Sequence, residues 1–386
     1  MSEINDILNR CQELYEDLSL GYVQRWKEMY GKKAVGFLPV YVPRELIRAS
    51  GMLPVGIMGG GDQIEIIRGD AYFQSYICHI PRSVIEMALS GKLDCLDGMM
   101  FPSICDVIRN LSGMWQLMFP EKLSIYFDSP QNFESDTGGI FYQNELKRIL
   151  DEFSKLSGIT ATDESLRDAT ALYNQNRRLT QQLYRRRADK PWEIPTSELY
   201  LLLRAGNILE VTEHNQMLER YMALASKENR KPLDNSRLVL NGSFCEQPPL
   251  GLIRALERAG GYIVDDDFVL AGRMIKSEIP LKGDPLENIV EAYLKDSKDV
   301  PFKYNIENKG DELVESFREN RADGVIFCAA SFCDPGLLEQ PMLQGRLDKD
   351  KIAYTSFQFA ENTGQYQVIR EQVGTFSDTI KLWGGQ

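Results

Sequence analysis

The feature that most constrains the fold is an alternation of short apolar runs with helical segments, which occurs twice along the chain of 386 residues. In the first half the apolar runs, predicted to be strands, are 34–40, 53–58, 98–101 and 123–127. The segments between them that are predicted to be helices are 43–49, 81–90 and 106–118. In the second half the predicted strands are 237–241, 262–264, 324–327 and 352–357. The predicted helices there are 250–259, 285–295 and 311–320. Such an alternation is typical of parallel sheets with crossover helices, so an α/β fold with two doubly wound, Rossmann-like domains is expected.

The two halves also share a short sequence. Residues 46–49 and 252–255 both read Leu-Ile-Arg-Ala, and each block follows a proline and precedes a glycine. This repeat indicates that the two domains are related and face each other across a ligand cleft. The expected organisation is an N-terminal helix, a first α/β domain, a helical linking segment and a second α/β domain, at 1–30, 31–142, 143–232 and 233–386.

The charge of the chain argues against two classes of partner. There are 44 lysines and arginines against 56 aspartates and glutamates, which gives a formal net charge of −12. A negative surface repels phosphate backbones and anionic lipids, so neither nucleic acid nor a membrane surface is an expected partner. The acidic first residues lack the pattern of a signal peptide, and no apolar run has the ~20 residues of a membrane helix. A cytoplasmic location is expected.

The seven cysteines carry the main chemical question. In a chain without a secretion signal they are expected to be reduced, and to serve as core residues, reactive thiols or metal ligands. Cys11 lies on the apolar face of a predicted helix, and Cys95 and Cys328 adjoin strands, so these three are expected in the core. The remaining four, each placed at or near a predicted helix N-terminus, are Cys78, Cys105, Cys245 and Cys333.

A helix N-terminus lowers the pKa of a thiol, because its N–H groups and dipole favour an anion. Thiolates that converge from several loops suit a metal cluster, although the spacing contains no C-x-x-C pair. Asp106 and Asp334 are predicted to be the N-caps of the helices that follow Cys105 and Cys333. On these residues alone, a metal cluster and a set of buried or surface thiols both remain open.

Other features allow weaker hypotheses. His79 and Glu246 neighbour two of these cysteines and are candidate catalytic residues for proton transfer, whereas His214 is expected to be exposed. The glycines at 59–61 favour a turn over a phosphate-binding loop, because they lack the G-x-G-x-x-G spacing. The arginines of 177–187 form either a solvated helix face or a contact for a coenzyme A phosphate. The acidic run 265–267 is expected to be capping or solvated.

Segments spread over nearly the whole chain carry a family resemblance. They are 43–55, Cys78 with Arg82 and Ser83, 127–130, Tyr173 and Asn174 with Arg177, 333–335, and Gln365 with Arg370 and Glu371. These segments resemble the 2-hydroxyacyl-CoA dehydratase and benzoyl-CoA reductase family. Within it, 101–115 and 241–249 are most similar to the smaller of the two cluster-binding subunits of ATP-dependent (class I) benzoyl-CoA reductases.

The resemblance implies an iron–sulfur subunit of a hetero-oligomeric oxidoreductase. It implies a four-iron four-sulfur (4Fe-4S) cluster on Cys78, Cys105 and Cys333, with Cys245 as a further ligand if the cluster is a double cubane. The implied partners are a larger homologous cluster-binding subunit and ATP-hydrolysing electron-activating subunits that take electrons from ferredoxin, so ATP acts on those subunits and not on this chain. The implied reaction, in anaerobic aromatic degradation, reduces the ring of benzoyl-CoA to a cyclic 1,5-dienoyl-CoA.

Two alternatives stay open. The first is that the chain is a subunit of a 2-hydroxyacyl-CoA dehydratase, an enzyme that recovers the electron it uses after each turnover. The second is that the chain is an electron-relay subunit whose partner holds the acyl-CoA substrate.

Overall fold

The computed structural model describes residues 3–38, 41–242, 246–268, 275–297, 310–360 and 366–383. It contains two parallel sheets of four strands each. The first sheet is built from β1 (Ala34–Phe37), β2 (Leu53–Gly56), β3 (Gly98–Pro102) and β4 (Leu123–Phe127). The second is built from β5 (Ser236–Asn241), β6 (Gly261–Asp266), β7 (Gly324–Ala330) and β8 (Tyr354–Phe359). The predicted α/β fold with two doubly wound units is therefore confirmed.

Helices cover these sheets and fill the chain between them. In chain order they are α1 (Glu3–Glu16), α2 (Gly21–Tyr30), α3 (Arg44–Ala49), α4 (His79–Leu89), α5 (Asp106–Met118), α6 (Ile140–Ser157), α7 (Asp163–Asp189), α8 (Thr196–Ala205), α9 (Val211–Ala225), α10 (Leu250–Arg258), α11 (Pro285–Asp296), α12 (Asp311–Glu319), α13 (Asp334–Lys349) and α14 (Tyr366–Trp383). The predicted helical segment is α6 to α9. The boundaries proposed for the domains stay a prediction.

Both sheets have the same topology. The strand order is β2-β1-β3-β4 in the first sheet and β6-β5-β7-β8 in the second, so β3 and β7 occupy equivalent places. Every residue of β1 and of β7 is buried, as expected for strands that helices cover on both faces. In sheets of this kind, ligands bind beyond the carboxyl ends of the strands, where the order reverses.

The N-terminal region differs from the single helix expected over 1–30. The chain turns after α1, and Leu20 adopts a left-handed conformation with φ of 55° before α2 begins. The first helix still places Cys11 in the core, where the residue is fully buried. Cys328 is also fully buried within β7, whereas Cys95 is partly exposed.

The acidic run 265–267 was expected to be capping or solvated, and this is wrong for its middle residue. The Asp266 carboxylate is buried and accepts a hydrogen bond of 2.7 Å from Nη1 of Arg187, which is 1% exposed. Tyr184 donates its hydroxyl to the same carboxylate over 2.8 Å. Sequence reasoning missed this because the ionic partner comes from α7, far along the chain. The pair fixes α7 to the end of β6.

No helix in the part of the chain that the structure describes is long and apolar enough to span a lipid bilayer.

Candidate functional site: three helix N-caps

Three of the cysteines expected to be ligands occupy the same kind of position. Cys78 is the N-cap of α4, Cys105 the N-cap of α5 and Cys333 the N-cap of α13. Asp106 and Asp334, predicted to be N-caps, are instead the first residues of their helices. The predicted positions at helix N-termini are thus confirmed for three thiols, and the cap assignment is corrected by one residue. Cys245, the fourth, lies outside the described residues.

Cys105 and Cys333 are structural equivalents in the two sheets. Each stands three residues beyond the last residue of its strand, Pro102 of β3 or Ala330 of β7. Each belongs to a Ser-x-Cys-Asp sequence, at 103–106 and 331–334. The serine N–H donates to the last carbonyl of the adjacent strand in both places, over 2.8 Å to Phe127 and 2.7 Å to Phe359. The repeated Ser-x-Cys-Asp is therefore a further sequence signal for this site.

The three thiols lie close enough to influence one another. Burial raises the pKa of Cys78, and the charges of Glu246, Cys333 and Cys105 raise it further. Burial also raises the pKa of Cys105, although the N–H groups of Ile108 and Val107 act in the opposite direction. The lowered thiol pKa expected at a helix N-terminus is therefore not found at Cys78 or Cys105. Cys78 is 6% exposed and Cys333 is 2% exposed. The three thiols therefore lie near one another although they are distant in sequence, and two of them are buried while Cys105 is partly exposed.

A buried carboxylate of α4 helps to hold the segment that leads to Cys78. Glu86 on α4 accepts hydrogen bonds from the backbone N–H groups of Ile67, Arg68 and Gly69, over 2.9, 2.6 and 2.9 Å. Burial raises the pKa of Glu86, but these three bonds outweigh burial and lower it overall. A Cβ on Gly69 would collide with the Arg82 carbonyl oxygen. Glu86 therefore anchors this segment to the helix that Cys78 caps.

The two residues suggested for proton transfer lie beside this site. His79, 8% exposed, is the first residue of α4, and its backbone N–H donates to Oε2 of Glu246 over 3.1 Å. Glu246 is 1% exposed and comes from the segment between β5 and α10. Burial lowers the pKa of His79, so its neutral form is favoured. The hydrogen bond from His79 to Glu246 thus joins the second half of the chain to the N-terminus of α4.

The donor set can be compared with what different metals require. Within the described ranges, no three His, Cys, Asp or Glu side chains are arranged to hold a single metal ion. Cysteine ligands of an iron–sulfur cluster bind different irons and surround the cluster rather than meet at one point. Three thiols at helix N-termini, two of them buried and the third receiving N–H groups at Cys105, fit such a cluster in their chemistry.

Two other sequence features have structural roles. Among the arginines of 177–187, Arg177 pairs with Glu45, Arg178 with Glu278 and Arg186 with Glu193, so these cations are neutralised within the chain. At the glycine run, the side chains of Ser83 and Ile64 occupy the places that a Cβ on Gly59 or Gly60 would take. These two glycines therefore leave room for the neighbouring side chains.

His214 is not exposed, contrary to expectation. It is 3% exposed, accepts a hydrogen bond at Nδ1 from Asn176 over 2.8 Å, and donates from Nε2 to the Leu202 carbonyl over 3.0 Å. Burial lowers its pKa to about 4. His214 therefore serves the packing of the helical segment.

Comparison with known proteins agrees with this architecture. The family model described as 2-hydroxyglutaryl-CoA dehydratase, D-component, matches residues 39–380. The chain is 54% identical over 381 residues to the C subunit of the benzoyl-CoA reductase of Thauera aromatica, covering 98% of this chain and 99% of the relative. It is 26% identical to the (R)-phenyllactyl-CoA dehydratase beta subunit of Clostridium sporogenes, covering 98% of this chain and 100% of the relative. It is 28% identical to the beta subunit of the (R)-2-hydroxyglutaryl-CoA dehydratase of Acidaminococcus fermentans, covering 91% and 93%.

Proposed function

Because the chain belongs to the family of the 2-hydroxyglutaryl-CoA dehydratase D-component, we propose that it is the iron–sulfur subunit of an ATP-dependent benzoyl-CoA reductase. The resemblance drawn from the sequence is confirmed at the level of the family, whose members named above are subunits of acyl-CoA reductases and dehydratases. The observation that carries the choice of a reductase is the 54% identity along nearly the full length of both chains, against 26% and 28% for the two dehydratase subunits.

In this proposal Cys78, Cys105 and Cys333 hold a 4Fe-4S cluster, which supplies single electrons at low potential when bound. The burial of Cys78 and Cys333 keeps water from the site. The N–H groups of Val107 and Ile108 stabilise the Cys105 thiolate, and Glu86 orders the segment before Cys78. Cys245 stays a candidate for an additional ligand in a double-cubane cluster.

The proposed reaction adds two electrons and two protons to the ring of benzoyl-CoA and yields a cyclic 1,5-dienoyl-CoA. A homologous larger subunit would complete the catalytic unit. Separate ATP-hydrolysing subunits would supply the electrons from reduced ferredoxin. The names of the relatives support a multi-subunit assembly, because each relative is itself called a subunit.

A dehydratase is the second candidate, supported by the two full-length relatives of that activity. It differs in its electron balance, because dehydration removes water from a 2-hydroxyacyl-CoA and consumes no net reductant.

The test is an anaerobic assay of the complex purified through a tag on this chain. With benzoyl-CoA and ATP, we expect two electrons to be consumed for each dienoyl-CoA formed. Water loss from a 2-hydroxyacyl-CoA with catalytic electrons only would instead establish the dehydratase. A photoreactive benzoyl-CoA analogue adds a second readout, because labelling of the partner subunit alone would make this chain an electron relay.

A further inference from the structure

We propose that Glu246 lowers the reduction potential of the cluster held by Cys78, Cys105 and Cys333, a role that rests on the proposed function of this site. Glu246 is thereby a tuning residue, which acts on the cluster through its charge and through the helix that Cys78 caps.

The geometry places this carboxylate at the N-terminus of α4. Glu246 is 1% exposed, and its Oε2 accepts the backbone N–H of His79 over 3.1 Å. His79 directly follows Cys78, so the carboxylate occupies one of the N–H groups that a helix N-terminus otherwise offers to an anion. A cluster bound to Cys78 would therefore share the His79 N–H group with the Glu246 carboxylate, or would lose this donor and lie beside a fixed negative charge.

The electrostatic surroundings agree with this placement. Among the charged groups that raise the pKa of the Cys78 thiol, Glu246 has the largest effect, ahead of Cys333, Cys105 and Asp334. A buried carboxylate close to Cys78 therefore adds to the negative charge that a cluster at this site experiences.

The consequence for the redox couple follows from charge. Reduction brings one electron into the cluster from a reductant, needs no proton, and makes the cluster more negative. A fixed negative charge in a sheltered site disfavours that change, since cluster potentials respond to charge, hydrogen bonds and exposure. Removal of the Glu246 charge should therefore make the cluster easier to reduce. A low potential is what an electron donor to an aromatic ring requires.

The experiment compares the variants Glu246→Gln and Glu246→Asp in the full chain, purified anaerobically and loaded with iron and sulfide. The midpoint potential is measured by EPR during titration with dithionite and redox mediators. We expect the Gln variant to have a tenfold higher ratio of reduced to oxidised cluster at the wild-type midpoint, which for one electron is an upward shift of about 59 mV. The Asp variant, which keeps the charge, should stay near the wild-type value. Glu257→Gln is the control for loss of a carboxylate elsewhere, since Glu257 lies on α10 and accepts from Ser197.

Three results would overturn the proposal. One is an unchanged midpoint in Glu246→Gln with full iron content. Another is the same shift in Glu257→Gln. The third is loss of iron from Glu246→Gln, which would make Glu246 a residue that builds the site rather than one that tunes it. Absence of iron from the wild-type chain would contradict the proposed function itself, so the two failures are distinguishable.

Discussion

The three N-cap cysteines share a position in their helices but differ in how much solvent reaches them. Cys78 and Cys333 are buried, whereas Cys105 is partly exposed and receives two backbone N–H groups. Since each thiolate would bind a different iron, none of the three replaces another. The loss of any one should therefore break the cluster.

Accordingly, we expect Cys78→Ala, Cys105→Ala and Cys333→Ala each to lose most of the cluster iron and the benzoyl-CoA reductase activity of the complex. Cys11→Ala is the control, because Cys11 is fully buried but contacts Met217 in the core. The measurement is iron per chain, followed by the anaerobic assay. A Cys105→Ala chain with full iron would exclude this ligand set.

His214 makes the stability of the helical segment depend on pH. Its pKa is lowered by burial to about 4, from 6.5 in an unfolded chain. The contribution of neutral His214 to the free energy of unfolding is therefore fully present above pH 6.5 and is lost as the pH falls toward 4. In that range the histidine binds a proton in the unfolded chain but not in the folded chain. Below pH 6.5 the loss approaches about 1.4 kcal/mol per pH unit.

We expect the variant His214→Gln to lack this part of the pH dependence. The difference in free energy of unfolding between wild type and variant should shrink by about 1 kcal/mol between pH 7 and pH 5.5, measured by urea denaturation. A constant difference over that range would show that His214 does not titrate in this way.

Sequence reasoning reached the cysteines and not the histidine for a local reason. The helix starts that follow Cys105 and Cys333 are marked by neighbouring residues, Asp106 in one case and Asp334 with Pro335 in the other. The partners of His214 are Asn176 and Leu202, which belong to other helices. Burial that depends on tertiary packing has no such local signal.

The packing of α8 against α9 depends on one glycine. Gly206 follows the last residue of α8, and a Cβ there would lie 2.7 Å from Nδ1 of His214 on α9. Its backbone is in the ordinary right-handed helical region, so a side chain is excluded by contact rather than by conformation. The histidine is held on both sides by hydrogen bonds and cannot move aside without losing them.

We therefore expect Gly206→Ala to destabilise the protein by about 1–3 kcal/mol, the usual effect of overpacking. Gly113→Ala is the control, because a Cβ on this exposed glycine of α5 meets no atom within 4 Å. That substitution should stabilise by about 0.5–1 kcal/mol through higher helix propensity. Thermal midpoints of the two variants should move in opposite directions, and a shared direction would refute the packing argument.

The helices and strands themselves were largely predictable, because the apolar runs are short and the helices between them amphipathic. The turn after α1 was missed because the apolar spacing continues past it, through Leu18 and Leu20 to Val23. The last helix, α14, was also missed. It packs on α10 and the second sheet, so its place depends on tertiary contacts.

The two sheets belong to one folded unit in which α7 has a central part. Arg177 of α7 pairs with Glu45 of α3, and Arg187 pairs with Asp266 at the end of β6. The Arg187 and Asp266 side chains are 1% and 0% exposed. The long helix α7 thus forms buried ion pairs with residues of both α/β units. These ion pairs hold together the unit that contains Cys105 and the unit that contains Cys333.

Removal of one member of the buried pair should be costly. We expect Asp266→Asn to destabilise the protein by about 3–5 kcal/mol, since it leaves the buried Arg187 charge with only the 4.0 Å contact to Asp265. Asp189→Asn is the control, because Asp189 lies on α7 like Arg187 and pairs with Arg321, but its side chain is 72% exposed. This substitution should change the free energy of unfolding by at most about 1 kcal/mol. Equal effects in urea denaturation would contradict this assignment.

That cysteines from both halves of the chain lie near one another could be predicted only from the family resemblance. The helix starts could be predicted one by one, but the proximity of Cys78 to Cys333 depends on how the two sheets meet. The contact between Glu246 and the His79 backbone likewise joins residues 167 positions apart.

The claim that this site holds one 4Fe-4S cluster is tested most directly by anaerobic analysis of iron and acid-labile sulfide in the purified chain, with EPR of the dithionite-reduced sample. We predict about four irons and four sulfides per chain and a reduced-cluster signal that disappears in Cys105→Ala. Carefully anaerobic protein without iron would contradict the claim. It would leave the three N-cap cysteines as structural thiols in a family fold.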